Sequence, residues 1–185
     1  NKKSGWQGCN LTEINGGKCN TEEDFYKACR AASILGTLQA GYTDFKFLTD
    51  TSKLIFDREA LLGVSITGWM NNPDILFNEN ILEKGAKIVK EVNREVAQII
   101  GINSAARTTC VKPSGNASVL LQTASGIHAE HSNMYIRNVQ MNKESEITQA
   151  IMKTNPYMVE DSVWSAGGTD VVVSFPILPK KGSMY

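Results

Sequence analysis

Apolar positions along the chain repeat with two periods, and the changes of period mark its elements. From Thr21 the spacing is helical. Thr21 is a good N-cap, Glu22, Glu23 and Asp24 place negative charge in the first turn, and Phe25, Ala28, Ala32 and Leu35 recur on one stripe, with Cys29 beside it. This predicts a helix ending near Gly41, with Cys29 read as a small core hydrophobe. A second helix is expected over 51–61. Leu62–Gly68 is short, apolar and β-branched, and suits a buried strand of a parallel sheet. Asn71-Asn72-Pro73 ends that unit in a loop or helical turn. The clearest helix spans Glu79–Ile100, where Ile81, Gly85, Ile88, Val92, Val96 and Ile99 keep the 3.6 period and Gly101 is the expected stop.

A strand over Thr109–Lys112 should follow, and strand, long helix, strand is the βαβ pattern of a parallel sheet. Further on, Tyr135–Met141 alternates as a strand and Glu144–Lys153 reads as a helix closed by Asn155-Pro156. Val159–Trp164 and Asp170–Ile177 read as two strands joined by Ala166-Gly167-Gly168. At the start, residues 5–20 read as short extended pieces around a turn at Asn15-Gly16-Gly17. The fold class is therefore α/β, with a parallel sheet, flanking helices and a terminal β-hairpin, in one partial domain over 1–185.

The strand at Thr109 ends in a tight turn that opens a helix. Pro113 cannot donate to a ladder, Ser114, Gly115 and Asn116 supply turn and cap chemistry, and Val119, Leu120 and Leu121 give the helix something to bury. Such a junction points backbone N–H groups and a helix dipole at one spot, which suits a phosphate. An ordinary strand-to-helix connection has the same composition, and on these residues alone both readings stand.

Composition narrows the classes. Nineteen basic residues balance nineteen acidic ones among 185, so no net field draws the chain to nucleic acid or to a membrane surface. No run of about 18 apolar residues is present to span a bilayer, and no signal-peptide pattern opens the chain. The start, Asn1-Lys2-Lys3-Ser4-Gly5, lacks Met and leads directly into structure, as expected of a piece of a longer protein. Cys9, Cys19, Cys29 and Cys110 match no zinc spacing, and their number in a chain of this length suits a reducing cytoplasm. Cys9 and Cys19 are not symmetric about the Gly16 turn, so a disulfide across it is not favoured. His128 and His131, with Glu130 between, offer two ligands in a loop without a third, and no metal site is assigned. Cys9 lies among polar residues in a stretch poor in core pattern. It is open both to a structural reading and to that of a reactive thiol.

Three motifs occur in order: Gly8-Cys9-Asn10-Leu11-Thr12-Glu13-Ile14, Thr108-Thr109-Cys110-Val111-Lys112-Pro113-Ser114-Gly115, and Ala124-Ser125-Gly126-Ile127-His128. Together with Leu62–Gly68 they resemble the adenosylcobalamin-dependent (class II) ribonucleotide reductases, especially the monomeric ribonucleoside-triphosphate reductases of bacteria and phages. The resemblance covers nearly the whole chain. It implies the second half of a ten-stranded α/β barrel, in which a finger-loop cysteine becomes a thiyl radical and two further cysteines reduce the ribose 2′ position. By this resemblance Cys9 is the redox-active reductant, with its disulfide partner off the chain. Lys112, Pro113, Ser114, Gly115, Asn116, Ala117 and Ser118 are the turn that holds the substrate phosphates, with Asn116 where relatives often have Thr. Asn10-Leu11-Thr12-Glu13 only superficially copies the family's Asn-x-Cys-x-Glu radical motif, so Thr12 and Glu13 receive no catalytic role. The radical cysteine is expected upstream of Asn1. Adenosylcobalamin is the implied cofactor, and a ribonucleotide substrate, a thioredoxin-like reductant and an off-chain deoxynucleotide effector are the implied partners. A reductase of another class and a non-catalytic nucleotide- or phosphate-binding domain are the alternatives.

Overall fold

The computed structural model describes residues 4–184, so the opening Asn1-Lys2-Lys3 and Tyr185 lie outside the described residues. The chain forms two compact units. One runs to Glu130 and takes in the segment from Lys180 onward; the other is His131–Pro179. No composition shift announces the boundary at Glu130.

In the first unit, β1 (Asn10–Asn15) leads through one 3-10 turn into α1 (Glu22–Ala40). Thr21 and Asp24 cap α1 reciprocally: the Asp24 N–H donates to Thr21 Oγ1 and the Thr21 N–H to the Asp24 carboxylate, each at 3.1 Å. α2 (Asp50–Glu59) starts at the Thr49 cap and ends at Ala60 in the left-handed region. Next come β2 (Leu62–Thr67), the single turn α3 (Pro73–Leu76) and α4 (Glu79–Ile100). Asn78 caps the start of α4, and Gly101, at φ 75°, closes it.

β1 and β2 pair in parallel, Asn10 opposite Leu62 through Asn15 opposite Thr67. Asn15-Gly16-Gly17 is therefore not the tip of a hairpin. The partner of β1 lies beyond two helices, as a parallel pair requires. Residues 107–110 run along the other side of β2: the Leu62 N–H donates to the Arg107 carbonyl, the Val64 N–H to that of Thr108, and the Cys110 N–H to that of Val64. Only one bridge forms there, Val64 to Thr109, so the strand expected over Thr109–Lys112 is a short extended segment. Val111 and Cys110 are exposed rather than buried, because this segment has one sheet neighbour.

The core lies between the sheet and helices α1 and α4. Ile14 and Val64 meet Phe25, Cys29, Ala32, Ile81 and Val89, all buried. The stripes follow the predicted period with shifted members. Leu35 and Ile99 are exposed, while Gly36, Thr37, Asn93 and Ala97 are buried. The buried Asn93 is satisfied: its amide donates to Thr37 Oγ1 at 2.9 Å and its carbonyl accepts the Ala105 N–H at 2.8 Å.

The turn after Lys112 opens α5 (Ala117–Leu121), five residues long. Its burial differs from expectation: Val119 and Leu120 are exposed, and Ser118 is the buried residue.

In the second unit, β3 (Tyr135–Asn142), α6 (Glu146–Thr154), β4 (Val159–Asp161) and β5 (Asp170–Ile177) follow. The strands form an antiparallel sheet in the order β3-β5-β4. Ser145 caps α6. β4 stops three residues short of the expected Trp164, because the Ser162 hydroxyl accepts the Trp164 N–H and its carbonyl the Ser165 N–H, which turns the chain. Among the described residues no helix is long and apolar enough to cross a membrane.

Candidate functional site

The two faces of the β1–β2 sheet differ. Side chains alternate along a strand, so Ile14, Leu62, Val64 and Ile66 face α1 and α4, whereas Cys9, Leu11, Glu13, Gly63, Ser65 and Thr67 face away. Gly63 makes the second face visible: a Cβ built there would lie 2.5 Å from Leu11 Cδ2 and 3.0 Å from the sulfurs of both Cys9 and Cys110. Cys9 thus approaches from the β1 side and Cys110 from the 107–110 side, over a strand position that has no side chain. Both are exposed free thiols. Burial raises both above the ordinary thiol pKa, and the neighbouring Cys9 raises Cys110 further.

One step along the same face, Glu13 stands opposite Ser65 and pairs with Lys112. Their side chains are only 10% and 19% exposed. The second Glu13 oxygen and the Ser65 hydroxyl are buried without a hydrogen-bond partner. Lys112 is therefore held by β1, and its charge is compensated from within the chain.

At the carboxyl ends of the strands the turn is fastened by backbone and hydroxyl bonds. Thr67 Oγ1 donates to the Ala124 carbonyl at 2.9 Å and accepts the Gly126 N–H at 2.8 Å. The Gly126 carbonyl accepts the N–H groups of Gly68 and Trp69. Asn15 Nδ2 donates to the Leu121 carbonyl at 2.9 Å. Asn71, 4% exposed, accepts from Thr123 Oγ1 and the Ala124 N–H and donates to Glu130 and Ser183. The motif Ala124-Ser125-Gly126 is thus a clasp between β2 and the turn.

Within the turn, Ser114 is buried and its hydroxyl lies 3.0 Å from those of both Ser118 and Ser125. Gly115 adopts φ +54° with nothing within 4 Å of a built Cβ, so the left-handed conformation, not crowding, calls for glycine there. The Ala117 N–H closes the turn on the Ser114 carbonyl at 3.0 Å. Asn116 makes no side-chain cap; its backbone is already helical, which points its side chain away from the first turn's N–H groups. With five residues, α5 supplies little dipole, and the turn's own backbone and hydroxyls are what it can offer an anion.

Two other candidate groups resolve differently. Cys19 and Cys29 are buried, and burial pushes Cys19 to about 11 and Cys29 to about 12. Both are structural, as read for Cys29. His128 is exposed and His131 packs edge-on to Tyr135. Among the described residues no group of three or more His, Cys, Asp or Glu could hold a metal ion. Sequence reasoning missed Glu13, Gly63, Ser65 and Cys110 as site neighbours. The signal was there in part, since Thr108, Cys110 and Lys112 share one strand parity, as do Cys9, Leu11 and Glu13.

No family model matches the chain. It is 28% identical over 180 residues to a Dictyostelium discoideum protein named "Probable adenosylcobalamin-dependent ribonucleoside-triphosphate reductase", covering 94% of this chain and 23% of the relative. It is 26% identical over 176 residues to an adenosylcobalamin-dependent ribonucleoside-triphosphate reductase of Euglena gracilis, covering 91% of this chain and 23% of that one. The chain thus spans less than a quarter of the length of these relatives. Among solved structures, a B12-dependent (class II) ribonucleotide reductase superposes with a TM-score of 0.74 at 17% identity, over 94% of this chain and 28% of the other. Over nearly its whole length, then, the chain is similar in sequence to adenosylcobalamin-dependent ribonucleoside-triphosphate reductases, and its mixed α/β fold is that of a stretch of a class II ribonucleotide reductase.

Proposed function

We propose that this chain is the part of a ribonucleoside-triphosphate reductase that binds the substrate phosphates and carries one of the two reducing thiols. The observation that carries the reading is that Cys9 lies on the same sheet face as the Glu13–Lys112 pair, which leads to the Ser114 turn. A nucleotide laid along that face reaches from the thiol to the turn. The turn at the far end of that path lies where ligands bind in parallel α/β sheets, outside the carboxyl ends of the strands. In the whole protein the two parallel strands and the 107–110 segment belong to the second half of a ten-stranded barrel.

The residues then divide the work. Ser114, Gly115, Asn116, Ala117 and Ser118 hold the phosphates through backbone N–H groups and the serine hydroxyls. Lys112 and Pro113 position the turn, with Lys112 tied to β1 through Glu13. Cys9 and an off-chain cysteine together give up two electrons and two protons: the C2′–O bond breaks, the 2′-hydroxyl leaves as water, a hydrogen takes its place, and the two sulfurs join in a disulfide that a thioredoxin-like protein reduces. The raised pKa of Cys9 keeps it a protonated thiol at neutral pH, as a hydrogen donor must be. A deoxynucleotide effector would bind outside this chain.

Adenosylcobalamin would supply the radical chemistry in the whole enzyme. The apolar pocket beneath β1 and β2, lined by Phe25, Trp69, Leu82 and Val89 among others, holds about 270 Å³, below the roughly 300–1,000 Å³ of small-molecule sites and far too small for a corrin.

The test is a turnover assay on the full-length protein with ribonucleoside triphosphates, with and without adenosylcobalamin. Reduction that depends on the cofactor is expected. Cys9→Ser should abolish multiple turnovers with a thioredoxin system, and Gly115→Val should raise KM for the nucleotide. Undiminished turnover in Cys9→Ser refutes the reductant role, and an unchanged KM in Gly115→Val refutes the phosphate turn.

A further inference from the structure

Two turns that the reductase reading leaves unused meet at one cation. Asn15-Gly16-Gly17 and Asn71-Asn72-Pro73 lie at the carboxyl ends of the parallel strands β1 and β2. The Asn72 amide donates to the Gly16 carbonyl at 2.6 Å, which ties one turn to the other. Each turn also presents an oxygen to the Lys180 ammonium. That group donates to the Gly17 carbonyl at 3.1 Å and to the side-chain carbonyl of Asn72. Asn20, just past the first turn, gives a third acceptor, with its Oδ1 2.7 Å from Nζ. All of these residues belong to the first unit, which takes in the segment from Lys180 onward. A lysine ammonium has three donors, so its set is complete, and every acceptor is a neutral carbonyl oxygen.

We propose that the carbonyl oxygens of Gly17, Asn20 and Asn72 form a seat for a monovalent cation of the ammonium class, and that Lys180 is its built-in occupant, a positioning residue that fastens residues 180–184 to the carboxyl ends of β1 and β2. Neutral carbonyl oxygens suit a single charge, whose hydration shell they replace, whereas divalent ions draw on carboxylates. Lysine suits the seat because its ammonium is a compact point charge with three rotatable donors, while a guanidinium is a flat fork matched to carboxylates and phosphates. The oxygens are held without the lysine. Asn72 is fixed by Gly16, and Gly17 packs so closely that a Cβ there would lie 2.5 Å from Thr123 Oγ1. Beyond Lys180 the segment is fastened further. Ser183 Oγ donates to the Lys180 carbonyl at 2.6 Å and accepts from Asn71 Nδ2 at 2.7 Å, and the Met184 N–H donates to the Met70 carbonyl at 2.9 Å. Asn71 also holds Thr123 and Ala124, and the Thr123 N–H donates to the Ser118 carbonyl at 3.0 Å. The seat is thereby linked, through Gly17 and Thr123, to the end of the phosphate turn. On the reductase reading, on which only this consequence rests, emptying the seat raises KM for the nucleotide.

The experiment is hydrogen–deuterium exchange of the full-length protein at neutral pH and fixed ionic strength, in ammonium chloride and in tetramethylammonium chloride, which carries the same charge without an N–H. It is read on peptides covering 14–21 and 68–74, where the amides of Cys19, Asn20, Asn71 and Asn72 close the two turns on the carbonyls of Gly16, Lys18, Gly68 and Trp69. The wild-type protein should exchange alike in both salts, because its seat is filled. In tetramethylammonium, Lys180→Ala should exchange faster at these peptides by roughly 2–10-fold, the range of a typical hydrogen bond, and ammonium should return it toward the wild-type rate. Lys180→Met keeps a stem that crowds the seat, so it should exchange as fast as Lys180→Ala and stay fast in ammonium. Equal exchange of Lys180→Ala in the two salts would overturn the seat, leaving Lys180 a simple tether. Wild-type exchange in Lys180→Ala would overturn it too, as would a recovery of Lys180→Met as large as that of Lys180→Ala, since the ion would then act elsewhere. None of these readouts uses nucleotide or turnover, so the seat can fail while the reductase reading stands, and the reverse.

Discussion

The two faces of one small parallel sheet have different uses. Toward α1 and α4 it presents Ile14 and Val64, almost without exposure among Phe25, Cys29 and Val89, with the half-buried Ile66 against the same cluster and the buried Leu62 beside Ala40 and Ala60. On the other face it presents two exposed thiols, the half-exposed Leu11, the Glu13–Lys112 pair and the unpartnered hydroxyl of Ser65. The alternation that places one residue in the core places the next on the second face. The contrast teaches that the first face is built for stability and the second leaves polar groups unsatisfied. Of the buried polar side-chain atoms left without a partner on these strands, Glu13 Oε1, Asn15 Oδ1 and Ser65 Oγ lie on the second face and Thr12 Oγ1 on the first; a natural core rarely tolerates such atoms, and their majority on the second face supports it as the side that receives a ligand.

The strongest way to break this contrast is to truncate one residue from each face. Phe25 is 2% exposed, and Phe25→Ala should destabilise the protein by about 3–5 kcal/mol through lost burial and a cavity. Leu11 is 50% exposed, and Leu11→Ala should cost less than about 1.5 kcal/mol. Urea midpoints of the intact protein read both. Equal losses would mean that the second face is a core in its own right. Glycines make the same point at smaller scale. A Cβ at Gly85 meets the Phe25 ring at 2.5 Å and Cys29 Sγ at 3.1 Å in a closed core, so Gly85→Ala should cost about 1–3 kcal/mol. Gly63→Ala should cost less, because the atoms it meets are exposed and free to turn. A larger loss at Gly63 than at Gly85 would reverse the assignment of the faces.

The first face was largely legible in the sequence, and the second was not. Thr21 and Gly101 announce helix ends by local chemistry, and the α4 period locates its buried side. The partner of β1 was not legible, because a parallel pair is made by a crossover that no local turn encodes. Asn15-Gly16-Gly17 suggests a nearby turn, whereas β1 pairs with a strand two helices away. Nor was the Lys112 partner legible. Glu13 precedes it by 99 positions, and only the fold brings them to one face. Cys9 drew attention through its motif, while Cys110, inside a motif read for its turn, was hidden until Gly63 placed the two sulfurs together. The exposed Val119 and Leu120 show the limit of apolar pattern: a five-residue helix follows its connections more than its hydrophobicity.

A double-mutant cycle on Glu13 and Lys112 sharpens the comparison within the second face. Glu13→Gln and Lys112→Met singly leave a partly buried polar group without its partner, which costs about 1–3 kcal/mol. The pair removed together should cost less than the sum, with a coupling of about 0.5–3 kcal/mol. Additive losses would mean that Lys112 is not coupled to Glu13 and is free to meet an anion.

The smallest expected effect separates the cysteines by depth. Cys29 and Cys19 lie in the closed core, and burial, aided by Asp24 at Cys19, holds them at about 12 and about 11, against 9.0 for a free thiol. Above pH 9 the unfolded chain releases both protons while the folded chain keeps them. Their contribution to stability is complete below pH 9 and is lost as pH rises through the folded values. Between pH 9 and 11 the urea midpoint should therefore fall, and Cys29→Ala should flatten the decline whatever its own cavity costs at neutral pH. Cys9→Ala, on the exposed side of the sheet, should flatten it less. If the two variants change the slope equally, the buried and exposed thiols titrate alike, and the difference between the faces does not extend to their cysteines.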